Sequence, residues 1–132
     1  MLSTNSAWLL SSLVLGCNGL LSGSGSVIAA LQARLYRSVK VNDLAQARRL
    51  NDRIYPTARV FYADPFVDMH DRMKKALVRL GKLPRAMVRP PLVKTTDAEI
   101  ARIQDELMKA ELLGTRTALG RTAAQRATYI PL

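Results

Sequence analysis

Gly16-Cys17-Asn18-Gly19-Leu20-Leu21-Ser22-Gly23-Ser24-Gly25-Ser26-Val27 is the stretch on which the fold turns. It closes a region, Met1 to Ala33, that carries no charged side chain, in a protein whose formal net charge is +10. Two readings compete for it. Leu15-Gly16-Cys17 has the form of a lipoprotein cleavage box. Gly19-Leu20-Leu21-Ser22, a brief apolar run between glycines, has the form of a strand covered on both faces. The flanking residues speak against lipidation at Cys17. A secretory signal needs a positively charged start, which Met1 to Trp8 lacks, and the apolar pattern continues past the cysteine through Leu20, Leu21, Val27 and Ile28. The glycines also interrupt any run long enough to span a bilayer, so no membrane segment is expected.

Upstream of this stretch, Ser3, Thr4, Asn5 and Ser6 offer N-cap side chains for a short helix over Ala7 to Leu15, with Gly16 free to turn left-handed at its end. That helix has only a narrow polar strip at Ser11 and Ser12, so burial on most sides is expected. Gly23 to Ser26 reads as a loop. From Val27 the period becomes helical: Val27, Ile28, Leu31, Leu35 and Val39 share a face. Asp43 can cap a second helix with Leu44, Ala47, Leu50, Ile54, Ala58 and Phe61 on one stripe, and Pro56 predicts a bend in it. Asp64-Pro65 stops that helix. A third helix follows from about Val67 or Asp68 to Leu80, with Met69, Met73, Ala76, Leu77 and Leu80 inward. Pro84, Pro90 and Pro91 make Lys82 to Lys94 an extended connection. Thr96-Asp97-Ala98-Glu99 has the form of a capping box that starts a last helix, with Ile100, Ile103, Leu107 and Ala110 as its stripe and Gly114 as its stop.

The 132 residues suffice for one ordinary domain, and 48% hydrophobic content can build a core. Aromatic residues make up only 5%, which points to a Leu, Ala, Val and Met core and so to helices, and away from an all-β fold. A single cysteine rules out an intrachain disulfide and a thiol metal cluster and suits a reducing, cytoplasmic setting, with Cys17 as a space-filling residue. The excess of Lys and Arg raises nucleic acid as a partner, through Arg34, Arg37, Arg48, Arg49 and Arg53. The basic residues are spread along the chain with no dominant block, so nucleic-acid binding is kept only as an alternative.

Chemistry-bearing clusters are few. Gly19-x-x-x-Gly23-x-Gly25 lacks the spacing of a dinucleotide fingerprint. Asp64, Asp68, His70 and Asp71 lie within eight residues but include one histidine only, and read as acids near a helix start. Asp105 and Glu106 are adjacent on a helix and point apart. Lys74 and Lys75, among Arg72 and Arg79, read as solvated charges on an amphipathic helix. No set of nucleophile, base and orienting group emerges, and no catalytic, cofactor-binding or metal-binding residue is assigned.

Read together, Gly16-Cys17-Asn18-Gly19-Leu20-Leu21-Ser22 before a helix, Asn42-Asp43-Leu44-Ala45-Gln46-Ala47, Lys74 to Gly81, and Arg89-Pro90-Pro91-Leu92 resemble the dihydrodipicolinate synthase and N-acetylneuraminate lyase family. In that family a "lG-x-x-G-(V/L)-(I/L)-S" strand ends a (β/α)8 barrel. A "gD-x-x-x-A" helix start, a K-x-x-L-x-x-x-G helix and an R-x-P-L segment follow. The order and spacing hold from about Ser3 to Leu113. The resemblance implies a mostly α chain. Residues 1–26 would be the last helix and last short strand of a truncated TIM barrel, 27–114 the family's C-terminal helical domain, and 115–132 a basic, loosely held tail. That is roughly two fifths of a family member, given barrels of about 250 residues.

The resemblance further implies a class I lyase, aldolase or dehydratase, in which a lysine on barrel strand six forms a Schiff base with pyruvate or a related 2-oxo acid and a tyrosine relays protons. Neither has a counterpart here, since Lys40, Lys74, Lys75, Lys82, Lys94 and Lys109 all follow the last strand. Leu21 and Ser22 match positions that line the substrate pocket. Ser3 to Ser6 fall in the loop after strand seven, where relatives have Gly-Asp or Gly-Glu. The expected reading is a C-terminal piece, inactive by itself, that needs no cofactor and self-associates through the apolar face its missing strands would cover. Its one strand is expected to lack parallel neighbours.

Overall fold

The computed structural model describes residues 1–92 and 94–114; the expected basic tail, 115–132, lies outside the described residues. The first twenty residues fold as a small strand–helix–strand unit. β1 (Leu2–Ser3) leads through a 3-10 turn at Ser6–Trp8 into α1 (Leu9–Val14) and on to β2 (Gly19–Leu20). The two strands pair in parallel, Leu2 opposite Gly19 and Ser3 opposite Leu20, and the ladder extends through Asn18 N–H to the Met1 carbonyl and Leu21 N–H to the Ser3 carbonyl. β2 therefore has one parallel neighbour, contrary to the expectation of none. β1 is two residues long and has no periodic pattern to read. Glycine at 19 permits the close pairing, because a Cβ there would sit 3.1 Å from Leu2 Cδ2.

Four longer helices follow: α2 (Gly25–Lys40), α3 (Leu44–Phe61), α4 (Met69–Arg79, after a 3-10 turn at Phe66–Asp68) and α5 (Asp97–Lys109). Their apolar stripes follow the predicted period, except that Leu44, expected on the stripe of α3, is exposed. Val27, Ile28, Leu31 and Leu35 of α2, Ala47, Leu50, Ile54 and Phe61 of α3, Met73 and Ala76 of α4, and Ile103 and Leu107 of α5 form one core, joined by Leu9 and Leu13 of α1 and by Cys17. Cys17 is thus a packed core residue. The most extensive helix contacts are α2 on α3 and α3 on α5, so α3 is the central helix. No helix among the described residues is long and apolar enough to cross a membrane.

The helix ends follow local chemistry. Asp43 caps α3 by accepting from Gln46 N–H at 2.9 Å. Thr96 and Glu99 form the reciprocal capping box of α5. Gly16 and Gly81 adopt left-handed φ of 96° and 68° after α1 and α4, the conformation in which a side chain is strained. Three local expectations need correction. α1 buries Leu9 and Leu13 but leaves Trp8, Val14 and Leu15 exposed, so it is not enclosed on most sides. α2 starts at Gly25, within the expected loop. α3 includes Pro56 within one continuous helix, with the Thr57 hydroxyl donating to the Ile54 carbonyl at 2.7 Å, while α2 carries a non-helical residue at Ile28 (φ −119°, ψ 30°). α5 ends five residues before Gly114, and Glu111 takes the left-handed conformation, with φ 56°.

Candidate functional site

The C-terminal ends of β1 and β2 open on the same cleft. Thr4 and Asn5 follow β1, Leu21 and Gly23 follow β2, and the far wall comes from the end of α3 and from α4. The cleft has a volume of about 600 Å³, and its wall is mostly apolar, with Leu21, Tyr62, Phe66, Met69 and Met73 among its lining. Tyr62 and Phe66 stack with ring centroids 5.8 Å apart. The polar exceptions include His70 and Lys74, and the Lys74 ammonium donates to the Met87 carbonyl at 2.7 Å. Lys74 and Lys75 are half-buried, and the Lys74–Met87 bond lies at the surface, in keeping with surface charges.

Under the cleft floor lies a hydroxyl cluster. Ser6 and Ser24 are fully buried and share a short hydrogen bond; Ser22 lies 2.6 Å from Ser6 and 3.0 Å from Ser24. The buried Gln32 amide of α2 donates to Ser24 at 3.0 Å and to Ser22 at 3.2 Å. The Tyr62 hydroxyl closes the cluster, accepting from the Ser24 N–H at 3.4 Å. Hydroxyls both donate and accept, so Ser6 from one segment and Ser22 and Ser24 from another satisfy one another where apolar packing alone would strand them. Loop residues read singly gave no sign of this grouping. The two pocket positions taken from the family pattern accordingly part: Leu21 faces the cleft, and the Ser22 hydroxyl belongs to the cluster. None of the cluster's hydrogen-bond partners is a histidine or a carboxylate, so no serine there is activated as a nucleophile.

The cleft wall is held by Arg72, which reads from its neighbours as a surface residue but is only 1% exposed. All five guanidinium N–H groups are used. Nη1 donates to the carbonyls of Ala63 (2.5 Å) and Pro65 (3.3 Å), and Nη2 to that of Asp64 (3.1 Å). Nη2 and Nε both reach Glu99 Oε1, at 3.1 and 3.3 Å. One side chain of α4 thereby ties down the turn that carries Phe66 and joins it to the first turn of α5. Beside it Asp71, also 1% exposed, accepts from Thr95 N–H at 2.7 Å and from the Thr95 hydroxyl at 2.5 Å. Asp71 thus points inward, away from Asp64, Asp68 and His70, and no group of three His, Cys, Asp or Glu residues among the described residues is placed to hold a metal. Glu106 pairs with Lys109 at 2.7 Å. Arg53 is engaged with the end of α5 through the Ala110 carbonyl and Glu111, which removes one member from the basic set considered for nucleic acid.

Burial pushes the Glu99 carboxyl up, but the Thr96 amide, Arg72 and the Thr96 hydroxyl together outweigh it and hold the carboxyl below its ordinary value of 4.5. A lowered folded-state value means that Glu99 contributes stability above 4.5, lost as pH falls through the lowered one. Thermal melts of the wild type on acidification should therefore show a loss that Glu99→Gln, already weaker at neutral pH, does not show. Parallel curves for the two proteins would refute this.

Residues 1–110 match the family model described as the dihydrodipicolinate synthetase family. The chain belongs to that family. It is 31% identical over 98 residues to 4-hydroxy-tetrahydrodipicolinate synthase from Erythrobacter litoralis (strain HTCC2594) and 30% identical over 99 residues to the enzyme of that name from Laribacter hongkongensis (strain HLHK9). Each match covers 74% of this chain but 32% of the relative, so the chain spans about a third of the length of these curated relatives. Among solved structures, dihydrodipicolinate synthase from Thermotoga maritima matches with a TM-score of 0.73 at 20% identity, over 84% of this chain and 36% of that one. The Oceanobacillus iheyensis enzyme matches at 0.75 and 14% identity, over 85% and 37%. The dihydrodipicolinate synthetase family fold is thus shared over about a third of those chains, and the residues that carry the match include both strands, the cleft and Arg72.

Proposed function

We propose that residues 1–26, with the end of one strand, a helix and a last strand, close a (β/α)8 barrel and that residues 27–114 are the helical domain that follows it, in a lyase that forms a Schiff base with pyruvate or a related 2-oxo acid. One observation carries this reading: two parallel strands end on the same cleft. Parallel barrels keep their sites at the C-terminal ends of their strands, on the loops that follow. Thr4, Asn5 and Leu21 occupy such positions, and Leu21, with Ser22 behind it, lines the substrate pocket once the other strands are in place. The chain's own lysines follow β2, which leaves it without the amine that would condense with the 2-oxo group, and by itself it is inactive.

Borohydride trapping in the presence of pyruvate tests both halves of the proposal. Condensation of a lysine amine with the keto carbon expels water, and hydride then reduces the imine to a stable secondary amine that intact mass detects. The isolated chain should give no adduct. A single-chain chimera, in which this chain replaces the matched third of the Erythrobacter enzyme, should fold and give one. An adduct on the isolated chain, or a folded chimera without one, overturns the reading.

A further inference from the structure

We propose that the cleft between α4 and the extended segment 87–92 is a binding site for a small organic anion, an oxyanion head carried on an apolar body. The cleft has a volume of about 540 Å³, within the range of small-molecule sites. Its lining divides by chemistry. Met87, Val88 and Leu92 are apolar, and the other three residues, His70, Lys74 and Arg89, carry nitrogen donors. No carboxylate among the described residues lines it. Both walls are formed by residues 70–92 and none by β1, β2 or the loops after them, so the inference stands independently of the barrel-end reading.

The walls are held in place by contacts of their own. His70 and Lys74 stand four residues apart on α4 and so share a face. The Lys74 ammonium donates to the Met87 carbonyl at 2.7 Å, which fixes it against the opposite wall and leaves two of its three N–H groups for a ligand. The Leu92 N–H donates to the Arg89 carbonyl at 3.1 Å, a turn that keeps both residues on that wall. Beyond the turn Asp71 holds Thr95, so the segment is anchored at both ends and less ordering is left for a ligand to impose. The surrounding charge favours an anion. Asp71 is engaged with Thr95 and Glu99 with Arg72, residues 115–132 contain no Asp or Glu, and the net charge is +10. The planar fork of Arg89 and the ammonium of Lys74 suit a carboxylate or a phosphate. Surface cations hold a bare ion only weakly, and the apolar wall is what selects an organic one.

The test titrates the isotope-labelled 132-residue chain by NMR with 4-phenylbutyrate and with phenyl phosphate, which carry the two heads, and with the neutral 4-phenylbutyramide. The expected result is saturable shifts at His70, Lys74, Met87 and Leu92 below about 10 mM for at least one anion, with the amide at least roughly tenfold weaker. The tighter of the two anions assigns the head. Met87→Glu, at a position 61% exposed, places a carboxylate in the cleft without touching the core and should weaken anion binding by at least about tenfold. Met87→Leu should leave binding within about twofold. Lys74→Met should weaken it by about fivefold, with thermal melts checking the fold. Equal binding of acid and amide, shifts spread over the basic surface at large, or anion binding that survives Met87→Glu overturns the proposal. So does the absence of saturable shifts with both anions.

Discussion

Arg72→Met is expected to destabilise the chain by about 3 kcal/mol. Methionine keeps the length and apolar stem of the side chain, so the loss reports the guanidinium and not a packing void. What disappears is the set of donors to the carbonyls of Ala63, Asp64 and Pro65 and to Glu99. Charge-assisted bonds are the stronger class, and this fork is buried on one side of the pair while Glu99 keeps partial contact with water. A loss of that size is a large part of the 5–15 kcal/mol or so typical of domains. Arg72→Lys should recover less than half of it, because one ammonium cannot address three carbonyls and a carboxylate together. Urea unfolding followed by circular dichroism measures both variants. A shift in the Met variant below about 1 kcal/mol would show that water replaces the fork without penalty.

Phe61→Ala should cost about 4 kcal/mol, through the lost transfer of the ring and the cavity left at the end of the central helix. Phe61 is fully buried and belongs to the same core as Leu9, Ile54 and Met73. Its neighbour Tyr62 bonds to the hydroxyl cluster and stacks on Phe66, so loosening the last turn of α3 loosens the cleft wall as well. Phe61→Leu, which refills most of the volume, should cost roughly 1–2 kcal/mol by the same measurement. Equal losses for Ala and Leu would mean that the site collapses around either side chain, and that Phe61 does not hold the wall.

The residues most easily read from sequence are those whose environment is set by near neighbours in the chain. The 3.6-residue period placed Leu31, Leu35, Leu50, Ile54 and Leu107 in the core, because a helix carries its own hydrogen bonds and only its apolar stripe must find a partner. The Thr96-x-x-Glu99 box and the Asp43 cap are likewise local, each serving an orphan amide within one turn. The family motifs from Gly16 to Leu92 follow the same logic and agree with the membership found by comparison.

Arg72, Asp71, Ser6, Ser24 and Gln32 were not legible, and they share a physical reason. A polar side chain is buried only if distant groups arrive to satisfy it, and nothing within a helical turn reports whether they do. Arg72 needs the carbonyls of the 63–65 turn and the start of α5, and Ser6 needs Ser22, Ser24 and Tyr62. The parallel pairing of Leu2–Ser3 with Gly19–Leu20 is of the same kind, since a two-residue strand has no period and exists only through its neighbour. By itself, then, the sequence determined that the four longer helices exist, the Asp43 and Thr96 caps, most of the core stripe and the family, all short-range or motif-borne properties. Only the tertiary structure decided which polar groups lie inside, that Leu21 faces the cleft while Ser22 joins the hydroxyl cluster, and that β1 pairs with β2, because each of these depends on groups that meet across many residues of chain.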